Sequence, residues 1–101
     1  MIAAKGKTID NLRFAFEYCG YDLDDIMSHT LKTRYYADRR AVAWCIYQEE
    51  LFRTCGQIGR AFGWNYSTVY SGILRAKRLR SCDRTFNDLY DSIYSAYKSR
   101  T

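Results

Sequence analysis

The chain has 101 residues, of which 48% are hydrophobic and 17% aromatic, and a formal net charge of +5. This length allows one hydrophobic core but not two, and the composition differs from that of a disordered segment. No apolar run is long enough to span a membrane, and the first residues lack the apolar segment of a signal peptide. We therefore expect a single cytoplasmic domain, built from helices because Pro is absent and Gly is sparse.

Helical patterns fill the first half of the chain. Residues 1–7 are predicted to be a loose tail, and Thr8 to cap a first helix that stops at Gly20. Asp22 is the candidate N-cap of a short second helix, and residues 34–51 are predicted to form a longer third helix. The apolar residues that share one side of these helices are Ile9, Leu12, Phe16, Leu23, Ile26, Met27, Ala41, Trp44 and Cys45.

The second half of the chain contains two consecutive helices joined by a glycine turn. The first is predicted over residues 54–62, with Thr54 as its cap and Gly63 at its end. The second is predicted over residues 65–80, capped by Asn65 or Ser67, and such a pair is typical of a helix-turn-helix. A last helix starts at Ser81 or Asp83 and has a strongly amphipathic pattern of Phe86, Leu89, Tyr90, Ile93 and Tyr97. The sequence thus predicts an all-α fold, a compact bundle of about six helices over residues 8–101.

The second helix of the pair has two different faces when residues advance about 100° each. Val69, Ile73 and Ala76 fall on one face, whereas Thr68, Ser71, Arg75 and Arg78 fall on the opposite one. Short polar side chains let a helix approach base edges, where Asn can pair with adenine and a Thr methyl can touch thymine. The predicted base-reading residues lie toward the N-terminal end of this helix: Asn65, Tyr66, Ser67, Thr68 and Ser71.

Positive charge is concentrated in the middle of the chain. Residues 30–80 contain ten cationic and three acidic side chains, whereas the two flanks contain six cationic and eight acidic ones. Such a distribution is typical of a protein that binds a polyanion. The residues predicted to contact phosphates or the minor groove are Lys32, Arg34, Arg39, Arg40, Arg75, Lys77, Arg78 and Arg80.

The segment IGRAFGWNYSTV, residues 58–69, resembles the signature of the C-terminal DNA-binding domain of the replication initiator DnaA. Ile58, Gly59, Phe62 and Gly63 match the family's Ile-Gly and Phe-Gly pairs. Residues 65–69 stand where the family has Asp-His-Thr-Thr-Val, after a turn one residue shorter. The similarity extends over residues 9–80 and implies a TrpR-like, DnaA C-terminal-domain-like fold of six or seven helices.

The resemblance also implies roles for individual residues. Asn65, Tyr66, Ser67 and Thr68 would read the major groove, and Arg40, with Arg39, would reach the adjacent minor groove or its phosphates. Asn65-Tyr66 replaces the family's Asp-His, so we expect a different preferred base, because an amide can donate where a carboxylate only accepts. Arg39-Arg40-Ala41 replaces the family's Pro-Arg-Gln.

These patterns predict sequence-specific binding of double-stranded DNA by a nucleoid-associated protein. The resemblance links that binding to replication initiation, its regulation, or a phage or mobile element. The sequence lacks a phosphate-binding G-x-x-x-x-G-K-[ST] loop, so no nucleotide or other cofactor is expected. His29 is the single histidine and has no paired nucleophile, so no enzymatic activity is expected.

Two further expectations concern the cysteines and a rival function. Cys19, Cys45, Cys55 and Cys82 lack the spacing of a metal site and are predicted to be reduced and mostly buried. The rival function is a protein–protein module that keeps the DnaA-like fold and antagonises or scaffolds replication proteins. Trp64, in the turn, would either wedge under the recognition helix or project as an anchor for that partner.

Overall fold

The computed structural model describes residues 2–28, 33–51 and 53–100. These residues form six helices, with no strand among them: α1 (Ile2–Tyr18), α2 (Leu23–Ser28), α3 (Arg34–Leu51), α4 (Cys55–Phe62), α5 (Tyr66–Cys82) and α6 (Arg84–Arg100). The all-α class and the number of helices are therefore confirmed. None of the described helices is both long enough and apolar enough to cross a membrane.

The ends of most helices lie where the capping residues predict them. Thr54 forms a capping box, because its Oγ1 accepts from the Gln57 backbone N–H at 3.2 Å while Gln57 Oε1 accepts from the Thr54 backbone N–H at 2.9 Å. Asp22 caps α2 through Oδ1, which accepts from two backbone N–H groups. At the C-terminal end of α1, Gly20 has a φ of 91°, a conformation that L side chains rarely adopt.

The start of the first helix differs from the prediction. Residues 2–7, predicted to be a loose tail, are helical, and Thr8 lies inside α1 instead of capping it. Residues 2–7 contain no Pro, and a single helical Gly costs only about 1 kcal/mol, so nothing in the segment stops a helix.

One core connects all six helices, with α3 at its centre. Seven consecutive residues of α3, 41–47, are buried, which shows that this part of the helix is covered on every side. α5 packs against α3 and α4, whereas α1 packs against α6. Each helix contributes fully buried apolar side chains, among them Phe16, Leu23, Ile46, Ile58, Val69 and Phe86.

The four cysteines are free thiols, but the prediction that most of them are buried is wrong. Only Cys45 is buried, and its burial raises the pKa of its thiol. Cys19 and Cys55 are partly exposed, and Cys82 is exposed because it lies in the last turn of α5.

Candidate nucleic-acid interface

The turn between α4 and α5 spans residues 63–65 and depends on two glycines. Gly63 adopts the left-handed conformation, with φ 76° and ψ 32°. The Trp64 backbone N–H donates to the Gly59 carbonyl at 2.8 Å. A Cβ atom at Gly59 would overlap the Trp64 carbonyl oxygen, so both glycines are required for a turn this tight.

Trp64 faces inward from this turn. Its Nε1 donates to the Met27 carbonyl at 2.8 Å, and its ring lies edge-on to Trp44 with the centroids 5.6 Å apart. Because both the polar and the apolar parts of the side chain have partners in the protein, Trp64 matches the predicted inward wedge and not the predicted projecting anchor. Trp64 instead ties α2 and α3 to the turn before α5.

Asn65 is the N-cap of α5, which confirms one of the two predicted candidates, Asn65 and Ser67. Its Oδ1 accepts from the Ser67 backbone N–H at 2.8 Å and from Ser67 Oγ at 2.6 Å. The cap occupies the acceptor of the amide and leaves its two N–H donors for a ligand. A bidentate contact to adenine needs both the acceptor and a donor, so Asn65 could make that contact only by releasing the cap.

The outer face of α5 carries the predicted base-reading residues together with an apolar stripe. Val69, Ile73 and Ala76 are buried as predicted, and Tyr66, Ser67, Thr68 and Ser71 are exposed. Three large apolar side chains follow one another at a spacing of four residues: Tyr66, Tyr70 and Leu74 are 65%, 53% and 49% exposed. The sequence prediction missed Tyr70 and Leu74, although their helical spacing from Tyr66 was a usable signal.

Two of the predicted phosphate-contacting residues are available on the surface. Lys77 and Arg78 lie exposed near the end of α5, and neither forms an ion pair with a described residue. No acidic residue occurs in residues 51–82, which contain six cations: Arg53, Arg60, Arg75, Lys77, Arg78 and Arg80. The surface built by α4 and α5 is therefore one that a polyanion can approach without meeting a carboxylate of those helices.

Arg34 and Arg75 belong instead to an ion network around the buried carboxylate of Asp38, a residue whose exposed fraction is only 7%. Arg75 donates to Asp38 Oδ1 through Nη2 at 2.7 Å and through Nε at 3.2 Å. Arg34 Nε donates to Asp38 Oδ2 at 3.1 Å, and Arg34 also pairs with Asp83. Arg75 was predicted to lie beside Arg78 on an open polar face. It instead pairs with Asp38, and this pair joins α3 to α5.

The pair predicted to form a minor-groove arm is divided between two sides of α3. Arg40 is 5% exposed and its guanidinium lies 4.7 Å from the Trp64 ring centroid. Burial lowers the pKa of this guanidinium below its ordinary value. Arg39 lies against the rings of Tyr21 and Tyr35, at 4.5 and 4.0 Å. The structure therefore places Arg40 within the packed part of α3 and not on an exposed arm, and the contact of Arg40 and Arg39 with the minor groove stays a prediction.

The other predicted cations have different surroundings. Arg80 lies 3.9 Å from the Tyr90 ring centroid and donates to Asn87 and Asp91, both at 3.1 Å. Lys32 and His29 lie outside the described residues. The exposed candidate site thus consists of the cap Asn65, the outer face of α5 and the cations Lys77 and Arg78.

Comparison of the chain with family models, with curated proteins and with solved structures found no match. The resemblance to the DnaA domain therefore stays a prediction from the residues that carry it. Any function for this surface has to be argued from its own geometry and charge.

Proposed function

We propose that the chain binds double-stranded DNA through α5, with the N-terminal half of that helix in the major groove. The observation that carries the proposal is the arrangement of Ser67, Thr68 and Ser71, which are exposed on a helix whose opposite face is anchored in the core. A helix held in this way can enter a groove as a rigid element, and short side chains let its backbone approach the bases.

Charge supports the same orientation. The N-terminus of a helix carries a partial positive charge that favours anions, and residues 51–82 contain no carboxylate to oppose them. Lys77 and Arg78 lie on the same helix two to three turns further on. They would contact phosphates after the N-terminal half has entered the groove, and such contacts position the helix without reading sequence.

The hydrogen bonds of the cap restrict what the helix would read. Asn65 offers donors only, which suit the O6 and N7 acceptors of guanine or the O4 acceptor of thymine. Ser67 Oγ donates its proton to Asn65, so it offers lone pairs to a donor such as the amino group of cytosine or adenine. We infer sequence-specific binding from this pattern, and the resemblance to DnaA suggests a role in replication initiation or its regulation.

The test combines selection with a salt series. Duplexes selected from a random pool should lose affinity between about 50 and 200 mM salt, with a log–log slope of about −0.9 for each phosphate contacted. Lys77→Ala and Arg78→Ala should each reduce that slope by about one and weaken all duplexes alike, because they remove phosphate contacts. Thr68→Val should cost about 1–3 kcal/mol on the selected duplex and little on random duplexes.

Arg84→Ala provides the matched control, since Arg84 is an exposed cation of α6 outside this surface. The variant should behave as the parent protein does. Absence of binding to any duplex at low salt, or an affinity that does not change with salt, would refute the proposal.

The apolar stripe favours a second candidate function, the docking of a protein partner. Tyr66, Tyr70 and Leu74 have the i, i+4, i+8 spacing with which a helix face enters a groove of another protein. In that case Leu74→Ser should abolish capture of the partner, whereas Lys77→Ala should change it little. For DNA binding we expect Lys77→Ala to have the clear effect on affinity.

A further inference from the structure

The apolar stripe of α5, Tyr66, Tyr70 and Leu74, lies outside the hydrophobic core. In the described part of the chain, none of the three belongs to the core or to the half-buried side chains packed against it. Single exposed apolar residues are common, but three at a spacing of four residues form a continuous apolar surface. Such a surface on an otherwise polar helix face indicates contact with a ligand.

Leu74 shares its position around the helix with a predicted base-reading residue. It follows Ser67 by seven residues, nearly two full turns, so the two side chains lie about 20° apart around the axis. Ser71, one turn before Leu74, lines a cleft between α3 and α5 that contains Trp44 and Trp64. Leu74 is not among the described residues that line this cleft and lies further from α3. A groove that receives Ser67 therefore also receives Leu74.

Cations follow Leu74 directly along the same side of the helix. Lys77 and Arg78 come three and four residues after it, so both lie one turn further on, and both are exposed. Residues 51–82 contain no carboxylate that would neutralise them. A ligand that matches this surface has to be apolar at Leu74 and anionic one turn away.

A thymine in the major groove of DNA has this combination of groups. Its C5-methyl is an apolar group among the base edges, and the phosphates border the groove. Apolar side chains of a helix in the groove contact that methyl directly. A duplex supplies phosphates beside every thymine, whereas a protein groove would need carboxylates placed at its rim. Charge complementarity therefore favours DNA as the occupant of the stripe.

We propose that Leu74 recognises a C5-methyl group of the bound duplex, located between the bases that Ser67 meets and the phosphates that Arg78 meets. The inference rests on the proposed function, because it needs α5 in the major groove. It adds an apolar determinant of specificity to the hydrogen-bonding ones. The recognised group is the methyl itself, which thymine and 5-methylcytosine share and which uracil and cytosine lack.

Deoxyuridine tests the methyl contact, because it removes the C5-methyl of thymine and keeps the hydrogen-bonding edge. The thymines of a selected duplex are replaced one at a time, and binding is followed at fixed salt by fluorescence anisotropy of the labelled duplex. At the contacted thymine, the replacement should weaken binding by about fourfold, the value for burial of one methylene-sized group. Cytosine and 5-methylcytosine compared at the same position show whether the methyl is recognised on either base.

Variants of Leu74 assign the effect to this side chain. Leu74→Ala should bind the thymine and deoxyuridine duplexes equally, because it loses most of the apolar surface that contacts the methyl. Leu74→Met keeps an apolar side chain of similar size and should retain the fourfold ratio. Both variants should fold, since Leu74 lies outside the core, and circular dichroism checks this. Lys77→Ala should weaken both duplexes alike and leave their ratio unchanged, because it removes a phosphate contact.

The outcomes separate this inference from the proposed function. Salt-dependent binding of a duplex in which no deoxyuridine replacement matters would leave the proposed function intact and overturn the inference. A fourfold ratio that persists in Leu74→Ala would also overturn it, since another residue would then contact the methyl. If Leu74→Ala changes neither the affinity nor the ratio, the stripe belongs to a protein partner instead. Absence of binding to any duplex would overturn both proposals.

Discussion

At the scale of the residue, the arginines of this protein differ mainly in what lies within reach of their guanidinium groups. Arg75 and Arg78 belong to the same helix, but only Arg75 meets a carboxylate, that of Asp38 on α3. Arg39 lies on aromatic rings, and Arg40 is buried beside an indole. Whether a helical arginine stays exposed to solvent or pairs within the protein therefore depends on residues far away in sequence. The helical periodicity of α5 alone could not distinguish Arg75 from Arg78.

The charge of Asp83 should make the stability of the protein depend on pH, because it caps the start of α6 and pairs with Arg34. Its carboxylate accepts from the Phe86 backbone N–H at 3.0 Å and pairs with Arg34, and these contacts lower its pKa from the ordinary 3.8. A lowered pKa in the folded state stabilises the protein above the ordinary pKa, and this stabilisation is lost as pH falls through the folded pKa. Urea unfolding of the parent and of Asp83→Asn should therefore show a stability difference that shrinks below about pH 4.

Asparagine is the appropriate replacement because it keeps a capping oxygen but does not titrate. The other carboxylates are common to the two proteins, so their titration cancels in the difference. A stability difference that stays constant from neutral to acidic pH would show that the Asp83 charge does not act in this way.

At the scale of the element, the sequence predicted the limits of α4 and α5 well because local signals determine them. The capping box at Thr54, the left-handed Gly63 and the cap at Asn65 all act within a few residues. The buried face of α5 was likewise predictable from its periodicity. For Trp64 the sequence left an inward wedge and a projecting anchor open, because its direction depends on the Met27 carbonyl of another helix.

Substitution by Ala should have opposite effects on stability at two helical glycines, Gly72 and Gly56, because their surroundings differ. A Cβ at Gly72 would lie 2.6 Å from Trp44 Cε3 and 2.7 Å from Cζ3, and Trp44 is buried. Gly72→Ala should destabilise the protein by about 1–3 kcal/mol, because α3 and α5 have to separate. A Cβ at Gly56 would meet only Thr54 Oγ1 at 3.9 Å, so Gly56→Ala should stabilise by up to about 1 kcal/mol through helix propensity alone.

Chemical denaturation of the two variants and the parent protein measures both effects. Each variant controls for the other, since the chemical change is the same and both sites are helical. Equal stabilisation by the two substitutions would mean that α3 and α5 do not approach each other as closely as the structure places them. The Gly72→Ala variant should also change the fluorescence of Trp44, whereas Gly56→Ala should not.

At the scale of the whole molecule, the two ends of the chain are brought together. α1 and α6 pack on each other, and their buried residues continue into the core that surrounds α3. The sequence indicated the apolar face of α6 but not its partner, because pairing between helices that are distant in sequence leaves no local signal. Because the core is continuous and α6 also packs against α5, a cavity within α6 should lower the stability of α5 as well.

Ile93 tests this connection, since it is fully buried in α6 while both tryptophans lie at the cleft between α3 and α5. Ile93→Ala should cost about 2–5 kcal/mol, a large part of the roughly 5–15 kcal/mol typical of a domain. If the core is one cooperative unit, the unfolding midpoints from tryptophan fluorescence and from far-UV circular dichroism should coincide and shift together.

Ser95→Ala, an exposed change on the same helix, is the control. It should change the free energy of unfolding by no more than about 0.5 kcal/mol with either probe. A dichroism transition that moves while the fluorescence transition stays in place would show that α1 and α6 unfold separately, and that the stability of α5 does not depend on them.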